Sequence, residues 1–269
     1  MQVIELFLLG AIAGFTILLG LPIARMKAVS PRVKGMLNAA AIGILIFLLV
    51  EVMGEAFEAT AKNTLGAFSG KIPMESAVFY LALLIGGIAI GLLSLVWFEQ
   101  KFVKKEFDKK SSQIAALTEE KAKRIALMIA IGIGLHNFSE GLAIGQSYAS
   151  GAISLALLLV VGFGLHNATE GFGIAAPLSG FAPRWRFIAL LGLIGGGPTF
   201  VGTIVGSIFV SVELSVFFFA LAGGAIIYVI KELFYHGRTH ADDIFVMSFI
   251  VLGVFIGFAT DLAIKIAGG

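Results

Sequence analysis

Two stretches of the sequence place ionisable and amide side chains where nearly everything around them is apolar. One runs Gly132-Ile-Gly-Leu-His136-Asn137-Phe138-Ser139-Glu140-Gly141, the other Gly162-Phe-Gly-Leu-His166-Asn167-Ala168-Thr169-Glu170-Gly171. In each, His and Glu are four residues apart, so on a helix they share one face across a single turn. Together the copies supply two imidazoles and two carboxylates, a complete ligand set for a divalent first-row metal. Asn137 and Asn167 stand one residue further on, about 100° round each helix. They add neutral oxygens for a second, neighbouring position. Imidazole with carboxylate suits Zn, Fe, Mn, Co or Ni, and the lack of thiols or a Met cluster argues against Cu(I). Such ligands bind metal deprotonated, so acid should release it. One copy alone reads equally well as a hydrogen-bonded pair holding two helices together. The second copy, thirty residues on, favours a site.

The elements that must carry these residues are membrane helices. Of 269 residues, 58% are hydrophobic and 13% charged, against about 25% charged in a soluble domain. The apolar stretches are about 20 residues long, enough to cross a hydrocarbon core of roughly 30 Å as a helix. The alternation of a transmembrane barrel is missing. The chain has no cysteine, which removes disulfides, iron–sulfur clusters and thiolate zinc sites together. A net charge of +2 gives no reason to expect nucleic acid.

Eight spans are expected within a single transmembrane domain covering 1–269, at about 3–24, 36–60, 75–98, 125–148, 152–177, 186–211, 214–235 and 243–266. The first is not read as a cleaved leader, because no basic residue precedes it and Glu5 lies in its first turn. With the amino terminus outside, the odd-numbered loops collect every one of the 19 basic residues except Lys62, Lys71 and Lys265. The positive-inside rule then places those loops in the cytoplasm and both termini outside. The third loop, 99–124, is the one long polar segment; it contains no His and reads as a solvated linker. Glycines recur at small-xxx-small spacing within spans, as in Gly10 with Gly14, Gly87 with Gly91, Gly141 with Gly145, Gly202 with Gly206 and Gly253 with Gly257. Such spacing lets helix backbones approach closely in lipid.

Further acids follow helical spacing on the second span: Glu51, Glu55 and Glu58. Glu51 lies deep enough that it should face the bundle interior, while Glu58 reads equally well as a solvated helix end. On the seventh span Glu232 follows Lys231, where an ion pair is the plain reading. His236 and His240 cluster with Asp242 and Asp243 in the next loop. Loop solvation and helix capping explain them; a metal relay on the exit side is the sharper alternative.

The paired His-Asn-x-x-Glu-Gly helices, the eight-span layout and the long third loop resemble the ZIP family of divalent metal transporters. Phe47-Leu-Leu-Val-Glu51-Val-Met-Gly-Glu55-Ala56 is similar to that family's acidic second helix, and Ala222-Gly-Gly-Ala-Ile-Ile-Tyr-Val-Ile-Lys-Glu232-Leu resembles its seventh. The resemblance implies an all-α, polytopic fold in a 3+2+3 arrangement, with helices 1–3 and 6–8 as inverted repeats around helices 4 and 5. It implies transport of zinc, iron, manganese or cadmium into the cytoplasm as cargo rather than cofactor. It also implies elevator-like sliding of one bundle against the other, residence in the cell membrane, and a homodimer as a possible assembly. Carried over by position, His136, Glu140, His166 and Glu170 would form the primary metal site, and Asn137, Asn167 and Glu170 the neighbouring one.

Two features depart from the family pattern. Ser139 and Thr169 stand where the family has Pro, so the proline kink loses its cause. Thr199, in Gly195-Gly-Gly-Pro198-Thr199, stands where many members have a Glu ligand. A weakened or absent second metal site is expected. Two other readings compete. An intramembrane metallohydrolase lacks His-Glu-x-x-His, Gly-x-Ser-x-Gly and a third buried His, so no enzyme is expected. A passive pore or receptor-like protein with a structural metal would not need the acids of the second and seventh spans.

Overall fold

The computed structural model describes residues 2–25, 31–104, 119–178, 181–208, 211–237 and 243–266. Almost all of these residues are helical. Backbone groups in lipid must be satisfied within the segment, and each apolar stretch does so as a helix. Helix α1 is Gln2–Phe15, continued by Ile17–Gly20 and a 3-10 turn Leu21–Arg25. Then come α2 (Pro31–Phe68), α3 (Met74–Phe98, extended by a π-helical turn Glu99–Lys104), α4 (Glu119–Ala149), α5 (Ile153–Ala175), α6 (Trp185–Ile208), α7 (Val212–Gly237) and α8 (Asp243–Ile266). Among the described residues, eight helices are long and apolar enough to cross a membrane.

Several boundaries differ from the spans read in the sequence: Pro31 begins α2, and the stretch 99–124 read as a linker is helical at both ends, over Glu99–Lys104 and from Glu119 onward. Helix α1 is interrupted at Thr16, whose hydroxyl donates to Ala13 O at 2.8 Å, and Pro22 beyond it has no amide to donate. Helix α2 runs on to Phe68 because its polar end supports itself. Thr60 Oγ1, Asn63 Nδ2 and Thr64 Oγ1 each bond the carbonyl one turn back, at 2.8, 2.9 and 2.8 Å. Glu58 therefore stands within α2, exposed, and not at its end. The amino terminus, the α4–α5 turn and the end of α8 share one face of the bundle. Tyr148 donates to Glu5 at 2.7 Å, and Gly151 and Lys265 line one cleft.

Glycine contacts divide the eight helices into two groups. A Cβ on Gly14 would overlap Gly196 O, and one on Gly196 would overlap Gly14 O, joining α1 to α6. Gly141 and Gly145 meet the carbonyls of Thr199 and Thr203, while Gly202 and Gly206 meet those of Phe138 and Leu142, joining α4 to α6. Gly20 and Gly171 join α1 to α5 through the carbonyls of Ala168 and Ile17. In the second group, Gly43 and Gly253 join α2 to α8, and Gly91 and Gly224 join α3 to α7, again backbone to backbone, while the two pairs meet through side chains, Gly223 of α7 against Met53 of α2. All five glycine pairs singled out by their spacing lie at these crossings. Between the groups the close approaches reach side-chain ends instead: Gly162 against Leu48, and Gly132 against Phe98 at 3.3 Å.

The apolar clusters follow the same division. Ile17, Ala126, Ile174 and Leu191 build a core inside the group α1, α4, α5, α6. Ala39, Ile42, Val246 and Ile250 join α2 to α8. The largest cluster, including Leu45, Leu48, Ile144, Leu159, Phe163 and Ala220, lies along the seam between the groups. Where backbones touch, any side chain must push helices apart, and overpacking costs about 1–3 kcal/mol or more. Gly141→Val is therefore expected to lower the thermal unfolding midpoint of the purified protein by several degrees. Gly86→Ala, which meets no atom within 4 Å, is expected to leave it within a degree. Equal midpoints, read by tryptophan fluorescence on heating, would contradict the backbone contact.

Candidate metal centre

Both motifs form unbroken helix, in the second half of α4 and of α5. Ser139 and Thr169 donate to the carbonyls of His136 and His166 at 2.6 and 2.7 Å. Each hydroxyl thus bonds the residue three positions back in its own helix, and without Pro no turn is lost. Asn137 and Asn167 reach outward to neighbouring helices: Asn137 Nδ2 donates to Gly195 O of α6, and Asn167 Nδ2 to Ala13 O of α1, both at 2.9 Å. Gly195 belongs to the Gly-Gly-Gly-Pro run of α6, where Pro198 offers no amide to the turn before it. The amide nitrogens are thereby fixed as tethers. Their carbonyl oxygens, Asn137 Oδ1 and Asn167 Oδ1, have no partner.

The ionisable side chains converge between α4 and α5. One ligand atom from each of His136, Glu140 and His166 lies within 4.8 Å of the others. Glu170 sits against both imidazoles, its Oε1 at 2.7 Å from His136 Nε2 and 3.0 Å from His166 Nε2. These contacts do not have hydrogen-bond direction, and both nitrogens of each imidazole stay unsatisfied. The imidazole rings are tilted at 38° with centroids 6.3 Å apart. All of this is inaccessible: His136 is 3% exposed, Glu170 6%, and Glu140 and His166 not at all.

Among the described residues, every buried side-chain nitrogen or oxygen without a hydrogen-bond partner belongs to the six motif residues or to Thr199. Native proteins leave few such atoms, and each costs about 1–3 kcal/mol, more when charged. Both Glu140 oxygens are among them. An unpaired carboxylate out of water is the most costly of the set. Two imidazoles beside two carboxylates can offset that cost by binding a divalent cation through lone pairs that nothing else uses.

The remaining residues singled out in the sequence lie elsewhere. Thr199 is buried on α6, close to Gly14 of α1, with its hydroxyl unpartnered. Glu51 and Glu55 line a cleft of about 580 Å³ at the end of the bundle that carries the termini, and Glu58 is not part of it. Glu232 and His236 lie on α7; their side chains, and the whole of His240, fall outside the described residues. Lys231 approaches Glu99 of the third helix at 3.3 Å. Asp261 and Lys265 of α8 share the cleft with Glu51 and Glu55. An acid and a base four residues apart in an apolar span was the signal for that pair.

A sequence model of the ZIP zinc transporter family matches residues 99–265. The chain belongs to the ZIP family. The match takes in both motifs and more than half of the chain. A search of the curated proteins found no match. ZIP membership implies divalent metal transport, and the buried His136, Glu140 and His166 are suited to bind such an ion.

The orphaned carboxylate leads to a paired expectation for this ZIP protein. In excess chelator, Glu140→Gln should leave the unfolding midpoint close to the wild-type value, because the amide has the size and shape of the carboxyl it replaces. Zn²⁺ should raise the wild-type midpoint, since a ligand bound only by the native state stabilises it, and should raise that of Glu140→Gln far less. Equal zinc-dependent shifts in the two proteins would remove Glu140 from the ligand set.

Proposed function

We propose that the whole chain acts as one transporter that carries divalent transition-metal ions, zinc foremost, into the cytoplasm. The site is the His136, Glu140, His166 and Glu170 cluster between α4 and α5. The observation that carries this reading is the concentration of unsatisfied buried polar atoms in these residues, in a chain whose family is that of zinc transporters. A structural metal would explain the cluster equally well. It would not explain the polar cleft with Glu51, Glu55 and Asp261 at the termini face, which the positive-inside reading puts outside. Iron, manganese and cadmium suit the same donors.

The neighbouring position would use Asn137 Oδ1, Asn167 Oδ1 and the second oxygen of Glu170, all without partners. With Thr199 in place of a carboxylate it holds one negative charge, too little for firm retention of a second divalent ion. Movement would follow the seam. The group α1, α4, α5, α6 is joined backbone to backbone, whereas its boundary with the other helices is made by side chains. The site lies within the group α1, α4, α5, α6, which can shift as a body past the other. Exchanging α1 with α6, α2 with α7 and α3 with α8 maps the α1–α6 contact onto itself and α2–α8 onto α3–α7. That pairing supports helices 1–3 and 6–8 as inverted repeats.

Proteoliposomes should take up Zn²⁺ and, more weakly, Fe²⁺, Mn²⁺ or Cd²⁺, and His136→Ala should reduce uptake at least ten-fold. Thr199→Ala should leave zinc uptake within about two-fold. Equal uptake by wild type and His136→Ala would exclude this site from the path.

A further inference from the structure

The cleft at the termini face has walls from both helix groups. One wall, from Gly151 in the α4–α5 turn to Leu158 of α5, belongs to the group that carries the metal cluster, and Glu51, Asp261 and Lys265 belong to the other. Along α5, His166 lies eight residues beyond Leu158, about 12 Å at the helical rise. Asp261 is only 8% exposed, and its Oδ2 lies 2.8 Å from Lys265 Nζ. The lysine side chain is 57% exposed, so its ammonium sits at the rim on a flexible stem. A buried carboxylate requires a counter-charge, and here the same helix supplies it one turn later.

We propose that Lys265 is a tethered counter-cation of the transport path: its ammonium occupies the Asp261 carboxylate and thereby sets the metal concentration at which the cleft admits a divalent ion. The proposal rests on the transport reading above. An ammonium is compact, strongly hydrated and carried on four methylenes, so it can swing to water when an incoming ion takes its place. Asp261 then keeps a counter-charge throughout the exchange. Glu51 and Glu55, on the facing helix, hold the ion near the carboxylate while the lysine leaves. Lys265 thus weakens capture of metal and does not touch the buried cluster.

The test is the concentration dependence of Zn²⁺ uptake in proteoliposomes at low salt. Lys265→Gln makes the cleft more negative by one charge and should lower KM about three- to ten-fold, the effect of a unit charge on a divalent ion at close range. The shift should shrink as ionic strength rises, and Lys265→Arg should restore a KM near the wild-type value. The double variant Asp261→Asn, Lys265→Gln should lose the gain. In parallel, Mn²⁺ binding to the purified His136→Ala, His166→Ala protein, followed by electron paramagnetic resonance, should tighten by a similar factor on adding Lys265→Gln. An unchanged KM for Lys265→Gln in a preparation that transports would overturn the proposal while leaving the transport reading intact. If the wild-type protein carries no metal, the transport reading fails, and unchanged Mn²⁺ affinity then overturns the proposal as well.

Discussion

The constraint on which the structure depends is the cost of keeping imidazoles, carboxylates and amide oxygens away from water. In a helix bundle built for lipid, each such group needs a partner. Most of the polar side chains here find one in a carbonyl of their own helix, as Thr60, Ser139, Ser147, Thr169 and Thr203 do. The His/Glu cluster does not. Its buried nitrogens and oxygens converge between α4 and α5 without hydrogen-bond partners. Such a donor set suits a divalent cation.

Holding unsatisfied groups in place requires rigid surroundings, and the glycines supply them. Helix α6 touches α4 and α1 backbone to backbone on either side, so the carbonyls that tether Asn137 and Asn167 belong to the same packed group as the His/Glu cluster. Gly195 is both an anchor for Asn137 and a member of the glycine run that lets α1 approach. Positioning and packing are therefore one property of α1, α4, α5 and α6. The seam with the other four helices is apolar and made of side chains.

Much of this was legible in the sequence, for identifiable reasons. Long apolar runs mark membrane helices, and a His and a Glu four residues apart mark one helix face, so eight spans and a two-helix cluster followed from spacing alone. Spacing also located the glycine crossings, but not which helix each faces: only tertiary structure shows that Gly141 meets α6 and Gly91 meets α7. The asparagines show the same limit. Sequence places them beside the cluster, while the fold reveals that their nitrogens are spent on Gly195 and Ala13. The i, i+4 spacing of Asp261 and Lys265 marks an ion pair in an apolar span, but only the fold shows that the pair shares a cleft with Glu51. The end of α2 was set too early because Thr60, Asn63 and Thr64 read as polar loop, whereas their back-bonds to the preceding turn keep the helix going.

The most direct test of the central claim is X-ray absorption at the zinc edge of the purified, zinc-loaded protein, wild type beside the double variant His136→Ala, His166→Ala. The account predicts a wild-type shell of two imidazole nitrogens with carboxylate oxygens at about 2.0–2.2 Å, and loss of the imidazole scattering in the variant. A shell made of oxygens alone, or imidazole scattering that survives in the variant, would contradict it.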